Sequence, residues 1–429
     1  MPHDWSRLIP SDAPSTPKAG AADPRAARLL EHESVARARA HLYETDGRTL
    51  DEQAALAAVP APPFGEAERG RFMAELMADS GLDVLSTDGV GNVVAHLPGS
   101  GEWAPESGGA QPLVVSAHLD TVFPAGTDTT VSREGEWLRG PGISDDARGL
   151  AALLALARAL REAGPRVRAP LLFVATVGEE GAGDLRGVRH LFSPEGLLSG
   201  GCLGFLSLDG AGLRRIVNAG LGSLRYRATV RRPGGHSWVD YGTPNPIHAL
   251  TRALDDLTRV PLPRTPATTL SIGRWGGGTS VNAIPTEAWV EFEVRSEAEV
   301  ELSRMDLEIR SILDRVISPS GRSRRRVLSL DLAILGRRPA GVTSERHPLV
   351  QAAVAATSAV GATADLGLSS TDANFPMSLG IPAITIGAGG DAGQAHTPDE
   401  WYRNVDGPAG IFRALLTVLL ADEALAPRV

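Results

Sequence analysis

Short apolar runs that end in polar residues recur along the first half of the chain. Residues 113–117 lead into His118, residues 169–177 into Glu179 and Glu180, and residues 203–208 into Asp209. Such runs are typical of buried strands. Residues 150–160 are apolar on nearly every face, which predicts a helix buried against a sheet. The pattern predicts an α/β fold whose charged residues collect at the carboxyl ends of strands, where open α/β sheets bind ligands.

The flanking segments complete this sheet-and-helix pattern. Predicted helices cover residues 31–44, 49–59 and 66–79 near the start, and 348–360 near the end, with strands at 83–85, 92–96 and 383–386. The closing segment, residues 408–420, is predicted to be an amphipathic helix.

Residues 222–335 have a different character. Apolar and polar residues alternate along 223–231, as in a half-exposed antiparallel strand. Further strands are predicted at 268–275, 287–295 and 326–335, with helices at 246–257 and 297–316. The order β-α-β-β-α-β is that of the ferredoxin-like unit. We therefore expect a loose N-terminal extension (1–28), a discontinuous catalytic domain (29–218 and 337–429) and an inserted domain (219–336).

Composition narrows the class of protein. The chain has 429 residues and 42% hydrophobic residues, enough for two globular domains. A net charge of -9 argues against nucleic acid as a partner. No apolar run is long enough to span a membrane, and the extension lacks the apolar core of a secretory signal. The single cysteine, Cys202, excludes cysteine-based zinc sites and is typical of a cytoplasmic protein.

Side chains that could bind metal ions or transfer protons occur at the predicted strand ends and in the loops. The groups are His118, Asp145, Glu179, Glu180, Asp209 and His396. Two histidines, two terminal carboxylates and one bridging carboxylate suffice for two zinc ions, which would polarise a carbonyl and acidify a water. A spare carboxylate, one of Glu179 and Glu180, could then transfer the proton to the leaving amine.

Neighbouring acids need separate explanations. Asp120 is close enough to His118 to accept a hydrogen bond from its ring. Asp145 and Asp146 precede the buried helix, and one of them suffices as a cap. Serine-nucleophile, cysteine-nucleophile and phosphate-loop motifs are absent from the sequence.

The chain resembles the dizinc metallopeptidase family of peptidase T, carboxypeptidase G, aminoacylase and succinyl-diaminopimelate desuccinylase. The resemblance runs from about residue 51 to 408. Its motifs are His118-Leu-Asp120-Thr-Val, Gly140-Pro-Gly-Ile-Ser-Asp145-Asp146, Gly178-Glu179-Glu180-Gly, Gly234-Gly235-His236-Ser237, Ser280-Val-Asn282-Ala-Ile-Pro285 and His396. It implies a zinc-peptidase-like three-layer catalytic domain with an inserted ferredoxin-like α+β dimerisation or lid domain.

The resemblance also implies residue roles. The metal ligands would be His118, Asp145 as the bridge, Glu180, Asp209 and His396. Glu179 would be the general base and acid, and Asp120 would orient His118. His236, Asn282 and Arg295 would bind substrate, and His236 would also stabilise the oxyanion from a neighbouring subunit. Outside the resemblance, His236 and Asn282 could be turn residues and Arg295 a solvated strand residue.

The sequence departs from the family at two places. After Asp145-Asp146 the family often has a lysine, whereas this chain has Ala147-Arg148-Gly149, which puts the role of the lysine in doubt. Residues 388–395, before His396, are rich in glycine, so the shape of the rim of the site does not follow from the family.

The functional expectation is a homodimeric cytoplasmic hydrolase that cleaves small peptides. A di- or tripeptidase of aminopeptidase type is preferred, because Asp209, residues 369–374 and residues 397–401 look closest to the peptidase T branch. A carboxypeptidase or N-acyl-amino-acid deacylase is the alternative, and a non-catalytic binding protein of the same fold is a remote one. Two divalent ions are expected, zinc first, with cobalt or manganese as alternatives. No nucleic acid or membrane partner is expected.

Overall fold

The computed structural model describes residues 23–98, 100–103, 109–317 and 328–427. In these ranges the helices are α1 Pro24–Glu31, α2 Glu33–Glu44, α3 Asp46–Ala58, α4 Ala67–Asp79, α5 Ala147–Ala163, α6 Arg186–Leu191, α7 Pro246–Thr258, α8 Glu299–Ile317, α9 Pro348–Ala359, α10 Asn374–Ser378 and α11 Gly407–Leu425. The strands are β1 Asp83–Thr87, β2 Val93–His96, β3 Leu113–His118, β4 Ser132–Glu134, β5 Trp137–Arg139, β6 Leu171–Thr176, β7 Gly204–Leu208, β8 Arg215–Gly220, β9 Gly222–Arg231, β10 Gly235–His236, β11 Thr268–Gly277, β12 Ala283–Ile284, β13 Glu287–Ser296, β14 Ser329–Arg338, β15 Gly341–Val342, β16 Asp365–Ser369, β17 Ala383–Ile386, β18 Asp391–Gly393 and β19 Trp401–Arg403.

The central sheet has helices on both faces. Its strand order is β1-β2-β6-β3-β7-β17-β8-β15, with β16 paired to β8, and β6, β3, β7 and β17 are mutually parallel. Alternate residues of β3 enter different cores: Val115 packs in the core that contains α5, whereas Val114 packs with α6. Because both faces are covered, the apolar runs show no polar alternation. This arrangement is the predicted three-layer architecture.

A second sheet contains four antiparallel strands in the order β11-β13-β9-β14. Alternate residues of β13 are buried, and Val290, Phe292 and Val294 share a core with residues of α7 and α8. The element order and the strand order are those of the ferredoxin-like unit. The chain leaves the central sheet after Gly220 and re-enters it at Gly341. The boundaries expected for the catalytic domain (29–218 and 337–429) and the inserted domain (219–336) stay a prediction.

Two predictions for the ends of the chain need correction. Helix α1 begins inside the predicted loose extension, because Asp23 caps it by accepting a hydrogen bond from the backbone N–H of Arg25 and Pro24 suits the first helical turn. Residues 1–22 lie outside the described ranges. Helix α11 is buried on all faces from Gly407 to Asp422 rather than amphipathic, because α2, α5 and α9 surround it.

A smaller sheet, β18-β19-β5-β4, has no counterpart among the predicted elements. Its strands have three residues each, too few to show a period in the sequence. Within the described ranges, none of the helices combines the length and the hydropathy needed to cross a lipid bilayer.

Candidate metal centre

Three parallel strands bring their terminal residues to one edge of the central sheet. His118 ends β3, Glu179 and Glu180 lie just beyond β6, and Asp209 directly follows β7. Because β6, β3 and β7 are neighbours, these side chains converge as the sequence predicts. Asp145, just before helix α5, also joins them.

Asp145 directs its two carboxylate oxygens to two histidines. Its Oδ1 lies 3.0 Å from His118 Nε2, and its Oδ2 lies 3.0 Å from His396 Nε2. His396 Nε2 is also 3.1 Å from Glu180 Oε1. His118, Asp145 and Glu180 offer ligand atoms that all lie within 4.8 Å of one another. Nitrogen and carboxylate donors at these separations suit a divalent metal ion.

Asp146 explains why two adjacent acids precede α5. Its Oδ1 accepts a hydrogen bond from Gly149 N at 3.0 Å and caps the helix, while its Oδ2 accepts one from His118 N at 3.0 Å. A Cβ atom at Gly149 would stand 2.2 Å from Asp146 Oδ1, so this cap requires glycine there. One acid therefore holds the backbone, and Asp145 remains available to the histidines.

Asp120 contacts His118 differently from the expectation. His118 Nδ1 lies 2.9 Å from the backbone carbonyl oxygen of Asp120, and 3.7 Å from its carboxylate Oδ1. The carboxylate instead accepts hydrogen bonds from the backbone N–H groups of Glu179 and Glu180, at 2.9 and 2.7 Å. The reason is local: two converging amide donors already satisfy the buried carboxylate. An orienting role for Asp120 towards His118 stays a prediction.

Glu179 forms an ion pair that the sequence does not indicate. Arg338 Nη1 donates to Glu179 Oε1 at 3.0 Å and to Ser370 Oγ at 3.1 Å. The Arg338 and Glu179 side chains are only 6% and 7% exposed. Arg338 Nη2 also donates to the backbone carbonyl of Glu179. Glu179 and Glu180 thus differ in their contacts: one pairs with arginine and the other with His396.

Negative charge dominates the electrostatics of this edge. Burial raises the pKa of Asp209 to about 7, and the nearby Asp145 carboxylate adds to the shift. Burial also raises the pKa of Glu179 well above its ordinary value, against the opposing charge of Arg338. Hydrogen bonds to Asp145 and Glu180 raise the pKa of His396 to about 10. The centre therefore favours positive charge, as a cation-binding site does.

An open cavity of about 570 Å³ contains these groups. Carboxylates form one wall, and three arginines contributed by strands β9, β13 and β14 form another. Its lining includes Asp145, Glu179, Glu180, Asp209, His396, Arg225, Arg295 and Arg338. Arg225 and Arg295 share a carboxylate, because their Nε atoms lie 3.4 and 2.9 Å from the two oxygens of Glu293. Predicted ligands and predicted substrate-binding Arg295 therefore face one space.

His236 and Asn282 lie next to each other but do not line this cavity in the described part of the chain. Strand β10 pairs with β12, which sets His236 opposite Ala283, and Ser237 N donates to Asn282 O at 3.1 Å. His236 is exposed. Its Nδ1 accepts hydrogen bonds from the backbone N–H groups of Trp238 and Val239, so the ring proton is assigned to Nε2.

Three residues of the site carry no usable signal in the sequence. Arg225 and Arg338 lie on strands β9 and β14 outside any of the sequence motifs, and the tertiary structure brings both to the cavity. Glu400 lies within the segment 397–401 that looks closest to peptidase T, but the sequence indicates no role for it. Its side chain is fully buried beside Asp145.

Arg148 lies in the segment where this chain differs from the family, which often has a lysine there, and its side chain is fully buried. Its Nε and Nη2 donate to the Ala388 carbonyl at 3.0 and 2.8 Å, and Nη2 also donates to the Gly407 carbonyl at 2.9 Å. It therefore fixes the start of the glycine-rich segment before His396. This role is structural, and it explains why the departure leaves the candidate ligands in place.

Comparison with known proteins agrees with the geometry. Residues 114–419 match the family model described as Peptidase family M20/M25/M40. The chain belongs to this family. It is 27% identical over 342 residues to the succinyl-diaminopimelate desuccinylase of Xanthomonas oryzae pv. oryzae, covering 75% of this chain and 87% of that protein.

Solved structures have the same fold. Aminopeptidase PepT from Bacillus cereus superposes with a TM-score of 0.69 at 23% identity, covering 88% of this chain and 98% of that one. The Bacillus subtilis YXEP protein, a dinuclear metal binding peptidase from the M20 family, superposes with a TM-score of 0.62 at 16% identity, covering 88% of this chain and 98% of that one. The predicted family, fold class and enzyme class, a metallopeptidase or amidohydrolase, are confirmed.

Proposed function

We propose that this peptidase-family enzyme is a di- or tripeptidase of aminopeptidase type, hydrolysing the amide bond next to the free amino terminus. The observation that carries the proposal is the convergence of His118, Asp145, Glu180 and His396 beside Glu179 in one open cavity. The similarity to aminopeptidase PepT supports the aminopeptidase choice.

The same donors fit two divalent ions. His118 and Glu180 would serve the ions as terminal ligands together with Asp209 and His396, and Asp145 would bridge through its two oxygens. Zinc is the first candidate for this nitrogen and carboxylate set, with cobalt or manganese as alternatives. Such a pair supplies Lewis acidity towards the substrate carbonyl and the attacking water.

Glu179 is the group that moves the proton. Its Oε1 is held by Arg338 at 3.0 Å, which fixes the carboxylate and leaves the other oxygen free of that ion pair. We assign it the removal of a proton from the attacking water and its delivery to the nitrogen of the leaving amine. Asp120 holds the backbone of Glu179 and thereby its position.

The arginine wall supports recognition of a substrate carboxylate. Arg225, Arg295 and Arg338 line the cavity. Among the described residues, Glu293 pairs with Arg225 and Arg295, and Glu179 pairs with Arg338. Arginine suits carboxylates because its planar guanidinium group can donate two parallel hydrogen bonds to the two carboxylate oxygens. A dipeptide with a free carboxyl terminus should therefore be cleaved with a lower KM than the same dipeptide amidated at that end.

N-acyl-amino-acid deacylation is the second candidate. The succinyl-diaminopimelate desuccinylase relative supports it, because a succinyl group would also present a carboxylate to the arginines. Parallel assays of Ala-Ala, Ala-Ala-Ala, N-acetyl-alanine and N-succinyl-alanine separate the two functions. Preferred cleavage of N-succinyl-alanine over both peptides would replace the peptidase assignment.

The proposal includes a homodimer through the inserted domain. Strand β11 is an edge strand of its described sheet, and its Ile272 and Trp275 are 36% and 58% exposed. Unpaired edges accept a second strand. His236, whose Nε2–H is directed away from its own turn contacts, would then enter the cavity of the partner and stabilise the oxyanion, together with Asn282.

Complementation between variants tests this arrangement. A hybrid of His236→Ala and Glu179→Ala chains contains one site with an intact Glu179 and a His236 from the other chain, so mixing should restore activity. Activity that stays absent after demonstrated subunit exchange would refute the shared site.

We place the enzyme in the cytoplasm. The support is the cysteine content, since Cys202 is single and buried and requires no oxidising compartment. Cell fractionation with an antibody against the chain tests this location, and recovery mainly outside the cytoplasm would contradict it.

Metal replacement tests the proposed function directly. Chelation should abolish peptide hydrolysis, and zinc, cobalt or manganese should restore it. The described lining of the cavity contains no cysteine, and the Ser370 hydroxyl in it accepts a hydrogen bond from Arg338. Hydrolysis that persists in protein proven metal-free by elemental analysis would overturn it.

A further inference from the structure

Glu400 is a fully buried carboxylate that accepts hydrogen bonds from one short loop. The donors are Ser144 N at 2.8 Å, Ser144 Oγ at 2.6 Å, Asp145 N at 2.9 Å and Gly142 N at 3.0 Å. Its side chain is 0% exposed. Four donors from residues 142–145 therefore converge on the two oxygens of one side chain.

The backbone of Glu400 connects the same loop to the segment that carries His396. Glu400 N donates to Thr397 O at 3.1 Å, closing a turn directly after His396. Gly140 N donates to Glu400 O at 3.0 Å, and the next residue begins strand β19, which pairs with β5. One residue thus joins two segments 255 positions apart, each bearing a candidate metal ligand.

Asp120 provides a parallel within the same centre. Its buried carboxylate accepts the backbone N–H of Glu180, as Glu400 accepts that of Asp145. In both cases a buried carboxylate holds the main chain of a residue whose side chain is a candidate metal ligand. Groups that do not bind the metal themselves but hold its ligands in position commonly determine the affinity for the metal.

We propose that Glu400 is a positioning residue of the metal centre, which fixes Asp145 in its bridging orientation and sets the separation between Asp145 and His396. This inference rests on the proposed metal site. Removing such supporting contacts typically weakens metal binding about 10–100-fold. An ordinary loop anchor would change stability and leave metal affinity unaltered.

Glu400→Gln tests the proposal in the full-length chain. Glutamine keeps the size of the side chain, but its amide nitrogen cannot accept from the surrounding N–H and O–H donors. Zinc titration of the metal-free protein, by calorimetry with a competing chelator, should show about 10–100-fold weaker binding of at least one ion. Catalytic rate measured at low zinc should fall and recover at saturating zinc. The matched control is Asp399→Asn, which changes the adjacent exposed carboxylate and should bind zinc as the unaltered chain does.

The outcomes separate the two proposals. Zinc affinity equal to that of the unaltered chain in folded Glu400→Gln overturns the positioning role alone. An unaltered chain that binds no divalent ion overturns the metal centre as well. If Glu400→Gln does not fold, Ser144→Ala, which removes only the hydroxyl donor, serves instead: weaker zinc binding with an unchanged circular dichroism spectrum supports the role, and unchanged binding contradicts it.

Discussion

Replacing Glu179 by glutamine should stop proton transfer and leave the metal centre intact. The Glu179 side chain is 7% exposed, and its Oε1 lies 3.0 Å from Arg338 Nη1. Glutamine can keep this acceptor oxygen, and the main-chain hydrogen bond to Asp120 is unaffected. The lost function is the exchange of a proton, which typically contributes about 10²–10⁴ in rate. At about 1.36 kcal/mol per tenfold, the activation free energy should rise by about 2.7–5.4 kcal/mol.

Initial rates with Ala-Ala, combined with elemental analysis of the same sample, measure both parts of this prediction. Glu179→Gln should keep the metal content of the unaltered enzyme. Glu180→Gln, which changes the adjacent acid, should lose metal, because Glu180 Oε1 lies among the candidate ligand atoms near His396. A Glu179→Gln rate within tenfold of the unaltered enzyme, or metal loss in that variant alone, would refute the division of roles.

The remaining predictions concern three groups away from the reacting atoms: Cys202, Arg148 and Glu52. Burial raises the pKa of Cys202 to about 12, so the native thiol should not react with a bulky disulfide reagent at pH 8. Because the pKa of this thiol is higher in the folded than in the unfolded state, the stability that it contributes should be lost as the pH rises from about 9 towards 12. The urea midpoint should therefore fall over this pH range, and it should fall less in Cys202→Ala. Arg148→Lys should lower the free energy of unfolding by about 1–3 kcal/mol by leaving buried carbonyls unpaired, measured by urea unfolding. Glu52→Ala should cost about 3–5 kcal/mol because it leaves buried Arg158 unpaired, against less than about 1 kcal/mol for exposed Glu33→Ala; equal losses would contradict the burial argument.

The residues at the strand ends can be predicted because their signals are local. Each follows an apolar run that can only be buried, and parallel neighbours place such ends at one edge. His118, Glu180 and Asp209 are brought together in this way. The two adjacent acids before helix α5 have separate roles: Asp146 caps the helix, and Asp145 contacts the histidines.

The supporting groups could not be predicted, because their partners are far away in sequence. Glu400 meets Asp145 across 255 positions, and Arg338 meets Glu179 across 159. No periodic pattern indicates such contacts. Helix α11 is a different case: its residues from Gly407 to Leu420 are apolar on nearly every face, which favours a buried helix, so the prediction of an amphipathic helix is wrong.

The most direct test of the metal-dependent mechanism is a joint measurement of bound metal and peptide hydrolysis. Metal-free enzyme should be titrated with zinc while Ala-Ala cleavage and bound zinc are recorded in the same samples. We expect activity to rise with zinc occupancy to a maximum at two ions per chain. Asp145→Ala, which lacks the bridging carboxylate, should reach neither that activity nor an occupancy of two ions. Full hydrolysis before any zinc is bound, or in Asp145→Ala, would contradict the mechanism.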